Sequence, residues 1–124
     1  MTDKELLELA AKAAGLGLEW ETTSFTIEEG VTDSVEIPYA TSNSPDEAPS
    51  YWDPLEDDGE AFRLSVKLEM CVGVAPHPMA LDKISLAMAP GGIEESCKHN
   101  GDPLAATRRA IVCAAAAIGK GAQP

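Results

Sequence analysis

Carboxylates are the most abundant reactive groups in this 124-residue sequence, which carries 21 Asp and Glu against 9 Lys and Arg. Asp53, Asp57 and Asp58 stand close enough along the chain to gather a divalent cation. They lack the Asp-x-Asp-x-Asp-Gly loop and later Glu of an EF-hand, so helix capping is the better reading. His77 lies between two prolines and His99 precedes Asn100-Gly101; both read as surface loop residues, and neither has the HxxxH or Cys–His spacing that zinc requires. Ser65, Ser85 and Ser96 have no GxSxG frame around them. Pro90-Gly91-Gly92 is too short for a phosphate loop and lacks the following Lys and Ser/Thr. Cys71, Cys97 and Cys113 are odd in number, widely spaced and without a CxxC pair, which points to buried free thiols in a reducing compartment. Arg108 and Arg109 are an anion-binding candidate, one at the core edge of its helix and the other in solvent. With no nucleophile–base or metal constellation visible, the expectation is a protein that is not an enzyme and needs no cofactor.

The distribution of charge says more than its sum of −12. From Ala13 to Phe62 there is no Lys or Arg, but there are 13 acids, so the whole imbalance sits in one middle segment. Such a surface repels phosphates and disfavours direct nucleic-acid binding. It would attract a protein with a basic surface, and Glu28, Glu29, Asp33, Glu36, Asp57, Asp58 and Glu60 are the residues expected to meet it. The bland alternative is a solvated loop that maintains solubility. No apolar run reaches the ~20 residues of a membrane span. The N-terminus lacks the layout of a signal peptide. A cytosolic location is expected; the sequence does not fix the oligomeric state, and a homodimer is one option.

The elements that must position these groups are legible in outline. Thr2 and Glu5 form a capping box for a helix over about 3–14, which Gly15 stops. Leu6, Leu9, Ala10 and Ala13 give it an apolar face. Residues 17–29 alternate as a strand, with a change of phase between Thr22 and Phe25 that predicts a bulge or bend. Val35, Ile37 and Tyr39 predict a second strand able to pair with it. Residues 40–50 read as loop, inside an acidic, loop-rich segment at about 28–58. Tyr51 and Trp52 bring the chain back to the core. Asp53 or Asp58 is expected to cap a helix over about 58–68. Three strands follow around Met70–Val74, Ile84–Met88 and Ile93–Cys97, the last two as a hairpin. Asp102 and Pro103 start a final helix that Gly119 should end, with Leu104, Thr107, Ile111, Ala115 and Ile118 on one face.

Helix, two strands, helix, three strands and helix predict a single α+β domain over residues 1–124. The expected arrangement is an α-β-α sandwich: an antiparallel sheet with N-terminal, central and C-terminal helices. The second half has the element order of a double-stranded-RNA-binding domain. Its last helix opens on Asp102 rather than on the basic residues that meet phosphates, which argues against RNA.

Three stretches carry a family resemblance: Asp3-Lys4-Glu5-Leu6-Leu7 onward, Trp52-Asp53-Pro54-Leu55 with Asp57 to Leu68, and Gly101-Asp102-Pro103-Leu104 to Val112. In order and spacing they resemble the phage αβα-sandwich domain family, related to the NinX-like proteins of lambdoid phages. The resemblance implies an α-β-α sandwich and a viral origin, hence the host cytoplasm. It implies no activity and no catalytic residues. The favoured expectation is a phage accessory protein that binds and inhibits a host protein through its acidic surface, in its sharpest form an anti-defence protein mimicking nucleic acid. The alternatives are a small-ligand or nucleotide binder using Trp20, Trp52, Arg108 and Arg109, and, less favoured, an enzyme.

Overall fold

The computed structural model describes residues 1–41, 48–76 and 83–121. His77, Asp46 and Glu47 lie outside the described residues. The chain is an α+β fold with N-terminal, central and C-terminal helices, as its sequence predicts. In order it forms α1 (Asp3–Ala13), β1 (Gly17–Glu28), β2 (Val31–Thr41), β3 (Ser50–Tyr51), α2 (Asp58–Lys67), β4 (Cys71–Pro76), β5 (Lys83–Ala89), β6 (Ile93–Lys98) and α3 (Pro103–Gly121). The strands divide into two antiparallel sheets, β1-β2-β3 and β4-β5-β6.

Local chemistry sets the helix starts. The Thr2 hydroxyl accepts from the Glu5 N–H at 3.1 Å, and the Asp102 carboxylate accepts from the Ala105 N–H at 3.0 Å, so both predicted N-caps form. Helix α2 is capped by Asp57, which accepts from the Glu60 N–H at 2.8 Å. Asp53 and Asp58, the expected caps, have other work. Asp53 accepts from the Leu55 N–H at 3.1 Å in an Asx turn, and Asp58 is the first residue of the helix.

Helix α3 is the centre of the molecule. Its buried residues, Ala106, Ala110, Ile111, Val112, Ala114, Ala115, Ala116 and Gly119, run around most of its circumference. A helix apolar on all sides belongs in a core. It packs on α1, α2, β5 and β6. Helix α1 buries Leu6, Leu7, Ala10 and Ala11, with Ala14 just past its end, a stripe rotated from the predicted one so that Leu9 and Ala13 are half-buried. The inner face of the second sheet supplies Ser85, Ala87 and Ala89, all buried.

Gly119 does not end α3, which continues to Gly121. It marks the closest approach to α1 instead. A Cβ at this position would overlap the Leu9 carbonyl oxygen and lie 2.9 Å from the Leu9 carbonyl carbon. Leu104 also departs from the predicted core face and is largely exposed.

The first sheet is built differently. β1 and β2 pair along nearly their whole length, turning at Gly30 with φ of +82°. The irregularity falls between Thr26 and Glu28, beside this turn, rather than between Thr22 and Phe25. The base of the ribbon is held by Leu18, Trp20 and Ala40 against the core. Beyond it, every residue from Glu21 to Glu36 is exposed. Within the segment read as acidic and loop-rich, Val31 to Thr41 is strand, and its exposed first half projects beyond the core beside the end of β1.

Gly119→Val should destabilise the protein by about 1–3 kcal/mol, the usual scale for forcing extra volume into a packed contact. Urea denaturation followed by circular dichroism measures this directly. An unchanged midpoint would mean that α1 and α3 are not in close contact.

Candidate functional site

The seven carboxylates expected to meet a partner fall into two groups with different surroundings. At the start of α2, all three are engaged by the fold. Asp57 caps the helix, Asp58 pairs with Arg108 at 2.6 Å, and Glu60 pairs with Arg63 at 2.8 Å. On the hairpin, Glu36 pairs with Lys4 at 2.8 Å and Asp33 accepts from the Ser34 N–H at 2.8 Å. Glu28 and Glu29 flank the turn and make no ion pair among the described residues.

Strand register adds residues that the charge pattern alone did not single out. Glu19 lies opposite Tyr39, Glu21 opposite Ile37, Thr23 opposite Val35 and Phe25 opposite Asp33. Cross-strand partners share a face, so acids and apolar side chains are interleaved on one surface of the ribbon. Phe25, Ile27, Val31 and Val35 are all exposed there or near the turn. The alternation in residues 18–27 carried this signal, but it read only as a strand. Which face would lack a covering layer depends on how far the ribbon outruns the core.

Lys4 ties the ribbon to α1. Its ammonium lies 5.1 Å from the centre of the Trp20 ring as well as on Glu36. The Glu36 hydrogen bond raises the Lys4 pKa. Trp20 Nε1 is buried with no hydrogen-bond partner among the described residues.

Both arginines of the anion-binding candidate are in ion pairs. Arg108 donates through Nε to the Leu55 carbonyl at 2.7 Å as well as pairing with Asp58, which fastens the turn before α2 onto α3. Arg109 pairs with Asp3 at 2.9 Å, joining the start of α1 to α3. Trp52 is buried in the core and its N–H donates to the Pro38 carbonyl at 3.1 Å. Trp52 lines a cleft with Arg63 and Lys67, Arg108 lines a second beneath α2, and Trp20 lines a third with Glu19 and Tyr39.

A serine–histidine contact does exist, one the sequence did not reveal. Ser85 Oγ lies 2.9 Å from His99 Nε2 and 2.7 Å from Thr107 Oγ1. Thr107 gives its proton to the Pro103 carbonyl at 2.8 Å. Ser85 must then donate to Thr107, and His99 Nε2–H to Ser85, since each hydroxyl has one proton. A histidine that donates to the serine is not positioned to deprotonate it. Ser85 is also fully buried. The three side chains lock β5 and the end of β6 onto the start of α3.

The thiols are less buried than expected: Cys71 is exposed, while Cys97 and Cys113 are half-buried. Burial pushes the Cys113 thiol up against the opposing effect of Arg109, so the thiolate is disfavoured there. Among the described residues, no group of three His, Cys, Asp or Glu side chains is placed to hold a metal ion. Among the described residues, no helix is long and apolar enough to cross a membrane. Comparison with protein-family models, curated proteins and solved structures gives no match.

Asp53 offers a pH test of the turn before α2. Burial raises its pKa above 3.8, only partly offset by the Leu55 N–H. A raised carboxylate pKa favours folding when protonated, and that gain is lost as pH rises through the folded value. Asp53→Asn keeps an acceptor oxygen without the charge. It should therefore be more stable than the parent at pH 7, with the difference vanishing as pH falls below the unfolded carboxylate value. Thermal melts across this range check it; a difference independent of pH would assign the effect to packing.

Proposed function

We propose that this chain is a protein-binding accessory module whose β1–β2 hairpin engages a basic surface on a partner protein. The observation that carries the reading is the exposed span from Glu21 to Glu36. It projects past the core, and the hairpin from Gly17 to Thr41, turn included, contains six acids and no Lys or Arg. An isolated two-stranded ribbon is marginally stable in water, because it buries little on either face. This one adds little to its own core, yet it exposes Phe25, Ile27, Val31 and Val35. Interleaved carboxylates and apolar groups suit a partner surface that is basic and partly apolar. Charge would steer the encounter and the apolar groups would slow dissociation.

The acids at the start of α2 contribute less in this reading, since helix capping and Arg63 and Arg108 already use them. The binding residues narrow to Glu28, Glu29 and Asp33, joined by Glu19 and Glu21; Glu36, on the other face of the ribbon and paired with Lys4, contributes less. The resemblance to the phage family supplies the setting, a host protein in the host cytoplasm, whose nucleic-acid-binding surface the hairpin would block.

The test is capture from bacterial lysate by the tagged protein at low and high salt, beside the variant carrying Glu28→Lys, Glu29→Lys and Asp33→Lys. All three positions are exposed, so the variant should fold. A basic partner captured at low salt, released at high salt and absent with the variant is the expected outcome. Equal capture by the variant would reject the hairpin as the contact.

A further inference from the structure

Helix α3 covers only two of the three strands in the second sheet. It packs on β5 and β6, and leaves the inner face of β4 open. Val72 and Val74, which share that face with Ala87 and Ser85, are 39% and 57% exposed. Beside them lies a cleft of about 430 Å³ reaching under α2, with Phe62, Met70, Leu104 and Ile111 in its walls. Its charged residues are Asp58 and Arg108, which neutralise each other.

The edge of this strand is unusual in the same molecule. Edge strands are normally guarded by charge, proline, bulges or brevity, because their free N–H and C=O groups recruit other strands. β1 carries Glu19, Glu21 and Glu28, and β6 carries Glu94, Glu95 and Lys98. β3 has two residues. β4, Cys71-Val72-Gly73-Val74-Ala75-Pro76, has no charge, and its one proline stands at the last position, leaving Cys71 to Ala75 without a guard.

We infer that β4 is a self-association edge, pairing antiparallel with β4 of a second copy about a twofold axis to give a six-stranded sheet. A register centred on Gly73 sets Val72 of each copy against Val74 of the other, giving two cross-strand valine pairs on the inner face. A twofold interface uses the same patch on both copies, so it must be self-complementary. A chain of net charge −12 repels its own copy over most of its surface. The neutral, apolar β4 edge is where that repulsion is weakest. This surface is separate from the acidic hairpin and remains available whether or not the hairpin binds a partner.

Sedimentation equilibrium of the full chain over a range of concentrations and salt tests the inference. The expected mass is twice the 13.0 kDa of one chain. Added salt should tighten the dimer by screening like charges, the opposite of its effect on a hairpin contact. Val74→Lys should return the mass to that of one chain with an unchanged circular dichroism spectrum, because Val74 is exposed in the single chain. Glu28→Lys with Glu29→Lys should leave the dimer in place. Three results would overturn the inference: a single-chain mass throughout, a dimer that survives Val74→Lys, or a dimer loosened by salt or by the hairpin substitutions.

Discussion

Gly119 lies against the backbone of Leu9, and the approach of α3 to α1 at that point sets the spacing for the rest of the core. The residues around it are small: alanine accounts for 12 of the 18 buried hydrophobic residues among those described. Each alanine removes little apolar area from water, so the core gains from closeness more than from bulk. Helices that touch through glycine and alanine bring many backbone atoms into contact. They also tolerate little added volume. The same feature lets one helix serve α1, α2 and the second sheet at once, because six of its eight buried residues are alanine or glycine.

The polar ties cluster around this helix. Arg108 holds the turn before α2, Arg109 holds the start of α1, and the Thr107–Ser85–His99 chain holds the second sheet. Each joins a segment to α3 that apolar packing alone would position loosely. The arginines that looked like an anion site, and the serine and histidine that look like catalytic partners, are spent on this fastening. What the fold leaves unfastened is the distal hairpin and the uncharged edge of β4, and these are the surfaces on which interaction has been argued.

The sequence was legible where one residue decides a local outcome. Thr2 and Asp102 cap as expected, because a hydroxyl or carboxylate before an apolar helical pattern has one obvious use. The choice among Asp53, Asp57 and Asp58 was not legible, since all three satisfy the same local rule and only tertiary placement of Arg108 separates them. Gly119 reads as a stop signal from its chain neighbours alone and as a contact point once α1 is beside it. The pairing of the two hairpin strands was legible from their alternation, but their projection was not, because alternation reports two faces without saying which, if either, is covered, and this hairpin buries neither face beyond its base. Division into two sheets was hidden for a related reason: strand alternation specifies faces but not which edges meet.

On the proposed function, the hairpin stands outside the cooperative core and is kept for contact with another protein. Amide hydrogen exchange on the free chain tests it most directly, since protection reports local opening free energy residue by residue. Amides from Glu21 to Glu36 should exchange far faster than those of Ala110 to Ala116 in α3. Protection of the hairpin equal to that of α3 in the free single chain would contradict the account, making the ribbon part of the fold rather than an arm held out from it.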